Sequence, residues 1–242
     1  DVAVAAGVSP STVSRVFTRP ELISTATVQR VVSVAVEMGY SPDLTARSLS
    51  TGHKETVALL VPDIANPFFP PLIKGVERYF QRKGVSVLLA ETDEEPSREA
   101  QLTQAFRGRA DGVILSSPRS DADELRKLTG RLPLVLVNRD VPGVHRVLIV
   151  TASGIREGIT HLVELGHRSL AYVAGPDQSW SNAERRGAFE AGCAEHGLRS
   201  FVVTSARPDY TSGVGAAAAV LATGATGVIA YDDTLAHGLI GG

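Results

Sequence analysis

The sequence holds one cysteine, one tryptophan and one methionine. A single thiol, Cys193, cannot close an internal disulfide, which suits a reducing compartment such as the cytoplasm. It sits in an alanine-rich helical stretch and reads as a small buried hydrophobe rather than a reactive thiol. No apolar run approaches the roughly 20 residues that a membrane-spanning helix needs, and no signal peptide opens the chain. No membrane partner is therefore expected. An excess of one charge is missing too: 24 Lys and Arg face 26 Asp and Glu, for a net charge of −2. Charge alone gives no reason to expect nucleic acid. Catalytic signatures are equally scarce. The six histidines are scattered without metal-ligand spacing, and no Ser/His/Asp arrangement can be argued from spacing. Gly213-Val-Gly215-Ala-Ala-Ala218 looks like a dinucleotide fingerprint. It does not directly follow a strand, and no acidic residue closes a second strand at the right distance. No cofactor, no metal and no enzymatic activity are expected.

What is present is apolar patterning. With 43% hydrophobic residues in 242, the chain can build a small head and a larger body. Residues 1–40 read as three short helices. The first covers Asp1 to Ala6 and stops at Gly7, which tolerates a left-handed turn. Ser9 caps the second, with Pro10 at its first position, where the missing N–H costs nothing. Val13, Val16 and Phe17 share one face; Ser11, Thr12 and Arg15 lie largely off it. Ser24 caps the third helix, in which Val28, Val31, Val32 and Ala35 follow helical spacing and Gly39 ends the run. So little apolar surface is buried only if the helices pack on one another. Ser41-Pro42 repeats the cap-plus-proline start, and a segment of barely two turns follows, from Asp43 to Thr51. Isolated helices this short are marginal in water.

From Val57 onward the pattern alternates. Strands are expected at 57–61, 85–90, 112–115 and 134–138, with helices at 68–83, 97–107 and 121–128 between them. A second series places helices at 153–165, 182–196 and 211–222 and strands at 169–174, 201–204 and 227–231. Short apolar strands flanked by amphipathic helices indicate doubly wound parallel sheets. Two such lobes leave a cleft, and ligands bind beyond the carboxyl ends of parallel strands.

Four motifs occur in order: Asp1-Val-Ala-Val-Ala-Ala-Gly7-Val-Ser9-Pro-Ser-Thr-Val-Ser-Arg15-Val, Ser41-Pro-Asp-Leu-Thr-Ala46-Arg-Ser-Leu49, Val61-Pro-Asp-Ile-Ala-Asn66-Pro-Phe-Phe69, and Leu165-Gly-His167-Arg with Ala174-Gly-Pro176. Together they resemble the LacI/GalR family of bacterial transcription regulators. The resemblance implies a helix-turn-helix DNA-binding head at 1–40, a hinge helix and linker at 41–53, and a two-lobed, periplasmic-binding-protein-like sensor at 54–150 and 151–242. It also implies a longer protein: further strands of the second lobe, and segments returning to the first, would follow Gly242.

By the same resemblance, the second helix enters the major groove. Arg15 would grip guanine O6 and N7. Pro10 and Ser11 stand where members vary to change specificity, while Ser9, Thr12 and Tyr40 would position the head through phosphates. Ala46, Arg47 and Leu49 belong to paired hinge helices in the minor groove, where the leucine wedges between base steps and kinks the duplex. Arg15, Arg19, Arg30 and Arg47 are offset by Asp1, Glu21, Glu37 and Asp43. A single head should therefore bind weakly, and a homodimer, or a tetramer built from it, on a palindromic operator in double-stranded DNA is expected. The implied effector residues are Phe68, Phe69, Asn138, Arg139, Ser179, Ser181, Arg185, Tyr210 and Asp232. Their mix of aromatic and polar groups favours a sugar-like small molecule. Val150-Thr151-Ala152 stands where many relatives have an Asp-Asn pair, so one cleft edge differs. Two other readings remain on the residues: a free-standing sugar-binding protein, which would need neither Ser9–Arg15 nor Leu49, and an α/β enzyme, which would need a nucleophile, metal or cofactor loop.

Overall fold

A computed structural model describes residues 2–40, 52–130, 132–205 and 207–242. The chain divides into two compact units, Asp1–Glu55 and Thr56–Gly242.

The first unit contains α1 (Val2–Ala5), α2 (Pro10–Thr18) and α3 (Thr25–Glu37). The turns at Gly7 and Gly39 have φ of +64° and +62°, which a side chain would resist. Ser9 caps α2 from an extended backbone, its Oγ accepting the Thr12 N–H at 3.2 Å. Ser24 caps α3 through the Thr27 N–H. Each such cap stabilises its helix by about 1 kcal/mol. A 3₁₀ turn at Pro20–Leu22, which the apolar pattern does not announce, links α2 to α3. Val13 and Val16 of α2 meet Val31 and Ala35 of α3 and Val2, Ala3 and Ala6 of the first turn region in one small core. Val28 and Val34 pack at its edge. Val32, expected on the buried face, sits at the rim of the stripe and is 39% exposed.

The second unit carries two parallel sheets. The first has the order β2-β1-β3-β4-β5, built from β1 (Thr56–Val61), β2 (Ser86–Glu91), β3 (Gly112–Ser116), β4 (Leu134–Val137) and β5 (His145–Val147). Between its strands run α4 (Phe69–Gln81), α5 (Pro96–Phe106) and α6 (Ala122–Thr129). Strand side chains alternate between faces, and β1 shows why helices must cover both. Ala58 and Leu60 enter a core with Leu125, Leu102 and Phe106 of α6 and α5. Leu59 and Val61 enter another with Phe69, Leu72 and Val76 of α4.

The second sheet has the order β7-β6-β8, from β6 (Ser169–Ala174), β7 (Arg199–Thr204) and β8 (Gly227–Ala230). It is flanked by α7 (Ala152–Glu164), α8 (Trp180–Glu195), α9 (Tyr210–Ala222) and α10 (Asp233–Gly241). Every residue of β6 is buried, as a central strand covered on both faces requires. Gly213 belongs to a helix crossing: a Cβ there would lie 2.5 Å from the Leu235 carbonyl oxygen and 2.8 Å from Gly238 Cα. The glycine pair lets α9 and α10 touch backbone to backbone, which accounts for the fingerprint-like glycine without any nucleotide.

Candidate functional site

In the first sheet the chain winds one way from β1 to β2 and the other way from β1 through β3 to β4. That reversal leaves a crevice beyond the carboxyl ends of the strands, between β1 and β3. A cavity of about 700 Å³ opens there, and its lining comes from the segments that follow the strands. Asn66 and Phe68 follow β1, Glu94 follows β2, Ser117 and Arg119 follow β3, and Asn138 follows β4. The second sheet contributes Tyr231 and Asp232, which follow β8, and α8 contributes Arg185.

The backbone at this rim is unusual. Asp93, Glu94, Ser117 and Asn138 all have φ between +47° and +64°. Non-glycine residues adopt this region at a cost, and only where their surroundings hold them. The holding groups can be named. Buried Glu99 accepts the backbone N–H groups of Arg119 at 2.5 Å and Ser120 at 2.9 Å, pinning the loop after β3. Burial pushes the Glu99 carboxyl above its ordinary value, and these donors pull it part of the way back. Arg119, also buried, pairs through Nε with Glu94 and donates from Nη1 to the Ser117 carbonyl.

Three polar ties run between the two sheets' loops. The Asn66 side-chain amide donates to Asp232 Oδ2 at 2.9 Å. The Asn138 amide donates to Ser181 Oγ at 2.6 Å. Arg207 pairs with Asp93 at 2.5 Å. Asp232 also caps α10, accepting the Leu235 N–H. Burial pushes its carboxyl above the ordinary range, against its hydrogen bonds and the nearby Arg185.

The resemblance-based effector residues separate in this geometry. Phe68, Phe69, Asn138, Arg185 and Asp232 line the cavity. Phe68 is half-exposed and stands edge-on to buried Phe69, with centroids 5.0 Å apart. Arg139, Ser179, Ser181 and Tyr210 do not line it. Arg139 turns back to donate to the Ser120 carbonyl. Ser179 is buried, caps α8 and shares a hydrogen bond with the Tyr231 hydroxyl. Ser181 is the buried acceptor for Asn138, and Tyr210 opens α9 and lies over Gly241 of α10.

The pattern reading passed over Asn66, Glu94, Ser117, Arg119 and Tyr231. All but Tyr231, the last residue of an expected strand, stand just past a carboxyl end, so the general rule that ligands bind beyond the strands' carboxyl ends could have found them. Tyr231 is seated by Gly175, where a Cβ would lie 2.5 Å from the ring. The Arg185 guanidinium lies 5.0 Å from the same ring and donates to the Tyr231 carbonyl.

In the first unit, Ser9 and Pro10 open α2, and Ser11 and Arg15 stand exposed on it. Ser9 Oγ is shared with Ser11 Oγ at 2.8 Å and Thr12 Oγ1 at 2.9 Å, so these hydroxyls form one small network at the helix start. Tyr40 is 45% exposed, its ring tilted against Phe17 at 6.0 Å. Ala46, Arg47 and Leu49 lie outside the described residues.

Among the described residues no cluster of three metal-ligating side chains occurs, and no helix is long and apolar enough to cross a membrane. Residues 1–43 match the family model described as bacterial regulatory proteins, lacI family. Residues 54–241 match that of periplasmic binding proteins and sugar binding domain of LacI family. The HTH-type transcriptional regulator DegA of Bacillus subtilis is 31% identical over 98% of this chain and 73% of its own length. The HTH-type transcriptional regulator GalR of Escherichia coli is 32% identical over 100% of this chain and 73% of its own. Across the first relatives, the chain spans 62% to 73% of their length. A crystal structure of the Lac repressor dimer bound to operator and the anti-inducer ONPF covers 99% of this chain and 75% of its own, with a TM-score of 0.85. At 22% identity that likeness speaks to the fold.

Proposed function

The chain belongs to the LacI family of bacterial regulatory proteins, DNA-binding transcription regulators that answer to a small-molecule effector, and from that premise we propose how this member works. It is a repressor that binds a palindromic operator as a homodimer in the cytoplasm, through Arg15 and the exposed start of α2. A sugar-like effector fills the cavity beyond the strands of the second unit and shifts the balance between closed and open lobes. The hinge residues Ala46, Arg47 and Leu49 carry that shift to the DNA. No catalytic step is assigned.

The observation that carries this reading is the pairing of an exposed, Ser9-capped helix start in one unit with a polar cavity in the other. The Asn66–Asp232 tie joins opposite walls of that cavity, and the Asn138–Ser181 and Asp93–Arg207 ties bridge the segments of the two sheets around it. They can form only when the two sheets' loops stand close, so a ligand that reinforces or displaces them has different affinity for the two states. Such a difference is what coupling requires. A gel shift with duplexes selected from a random palindromic library, run with and without a panel of sugars, tests it. One duplex class should be retained, and at least one sugar should change its retention. Equal, weak retention of every duplex would remove the reading.

A further inference from the structure

Of the cavity's two cations, Arg119 is ion-paired, and the carboxylates of the lining outnumber the cations. Arg119 is paired with Glu94 on the cavity side and has Glu99 behind it. Arg185 lies in the field of Asp232 and gives a donor to the Tyr231 carbonyl. The lining also includes Asp233, on the exposed first turn of α10. Two guanidinium groups therefore face three carboxylates: Glu94, Asp232 and Asp233. A ligand carboxylate or phosphate entering here would meet net negative charge and would have to break the Glu94 pair to reach Arg119.

The hydrogen-bonding atoms point the same way. Asn138 Oδ1 is buried and has no partner. An unpaired buried acceptor is costly until a donor arrives. Asn66 gives one amide N–H to Asp232. Asn138 Oδ1 is thus a vacant acceptor, and an acceptor calls for a donor such as a hydroxyl. Carboxylates bring no donor at neutral pH. Phe68, half-exposed at the rim, offers an apolar face to the C–H side of a ring.

We propose that the effector is an uncharged, hydroxyl-rich sugar, and that Glu94, locked on Arg119, is the residue that turns away the acid and phosphate forms of the same sugar. The inference rests on the effector reading above and goes further by choosing the charge class and the residue that enforces it. Glu94 acts by keeping Arg119 neutralised at the cavity wall. Without its charge, Arg119 would face the cavity with Glu99 alone behind it, and an anionic group could take the vacated position.

Calorimetric titration of the full chain with matched sets tests this: glucose, gluconate and glucose 6-phosphate, with the corresponding galactose and ribose sets. In the wild-type protein, the neutral member of the set that binds should do so at least tenfold more tightly than its charged counterparts. Glu94→Gln should shrink that ratio severalfold. Asp233→Asn, at an exposed position where folding is not at stake, should shrink it as well. Preferential binding of a carboxylate or phosphate by the wild type, or a ratio untouched by both variants, overturns the proposal while leaving the effector reading intact. If no member of any set binds, the effector reading itself fails and this inference falls with it.

Discussion

Asn66 and Asp232 meet at 2.9 Å across the cavity, one from the loop after β1 and the other from the turn after β8. They stand 166 residues apart in sequence, and each has a local duty: Asn66 Oδ1 accepts the Phe68 N–H, and Asp232 caps α10. The bond therefore couples the start of a helix in one lobe to the start of a helix in the other. Hydrogen bonds to charged groups contribute roughly 1.5–3 kcal/mol. Asn66→Ala should shift the lobes toward the open state and weaken effector binding about tenfold, the equivalent of about 1.4 kcal/mol. Calorimetric titration checks this; an unchanged Kd would mean that the tie does not report on closure.

Gly175 makes room for the Tyr231 ring. A methyl group there must push the ring away from Ser179 and from beneath Arg185, two contacts that shape the cavity wall. Overpacking of this kind costs about 1–3 kcal/mol. Gly175→Ala is expected to lower the urea midpoint and to reduce effector affinity. A variant with wild-type stability and affinity would show that the ring adapts freely.

Glu99 and Asp232 both have carboxyls raised by burial. Between the unfolded value and the raised folded value, the native state holds more protons than the unfolded one. Stability from these groups is therefore greatest at low pH and is lost as pH rises through the raised values. Glu99→Gln removes the larger burial of charge. In thermal melts from pH 4.5 to 7, the wild type should lose ground relative to Glu99→Gln as pH increases. A constant difference across that range would contradict the assigned cause.

Much of this architecture could be read from sequence because it is written in local signals. The Ser9-Pro10 cap, the left-handed turns at Gly7 and Gly39 and the apolar run Ser169–Ala174 each depend on residues close in the chain. The edge strand His145–Val147 could not be read: all three of its residues are exposed and it carries no apolar pattern. The cavity was legible only in part. Phe68, Asn138, Arg185 and Asp232 came from motif resemblance, while Glu94 with Arg119 and Asp93 with Arg207 are pairs 25 and 114 residues apart. No periodicity marks such partners; the sheet order brings them together. Arg139, Ser179, Ser181 and Tyr210 have suitable chemistry and neighbouring positions, yet their side chains are committed to loop, cap and helix contacts.

Cys193 is fully buried on α8, and burial pushes its thiol above the ordinary value. The thiolate is the reactive form. An aromatic disulfide reagent should label it only at the rate of unfolding, and rapidly in denaturant. Immediate labelling of the native protein would contradict the packing of α8 on β6.

The central claim is that α2 reads bases, and Arg15 is where it is most exposed. Fluorescence anisotropy of the full chain on its selected palindrome and on a scrambled duplex, wild type beside Arg15→Ala, measures it directly. Loss of one bidentate base contact costs about 1–3 kcal/mol. The palindrome should be bound at least tenfold more weakly by the variant, with scrambled DNA little affected. Equal affinity of wild type and variant for the palindrome, or wild-type binding that ignores sequence and vanishes with salt, would contradict the account.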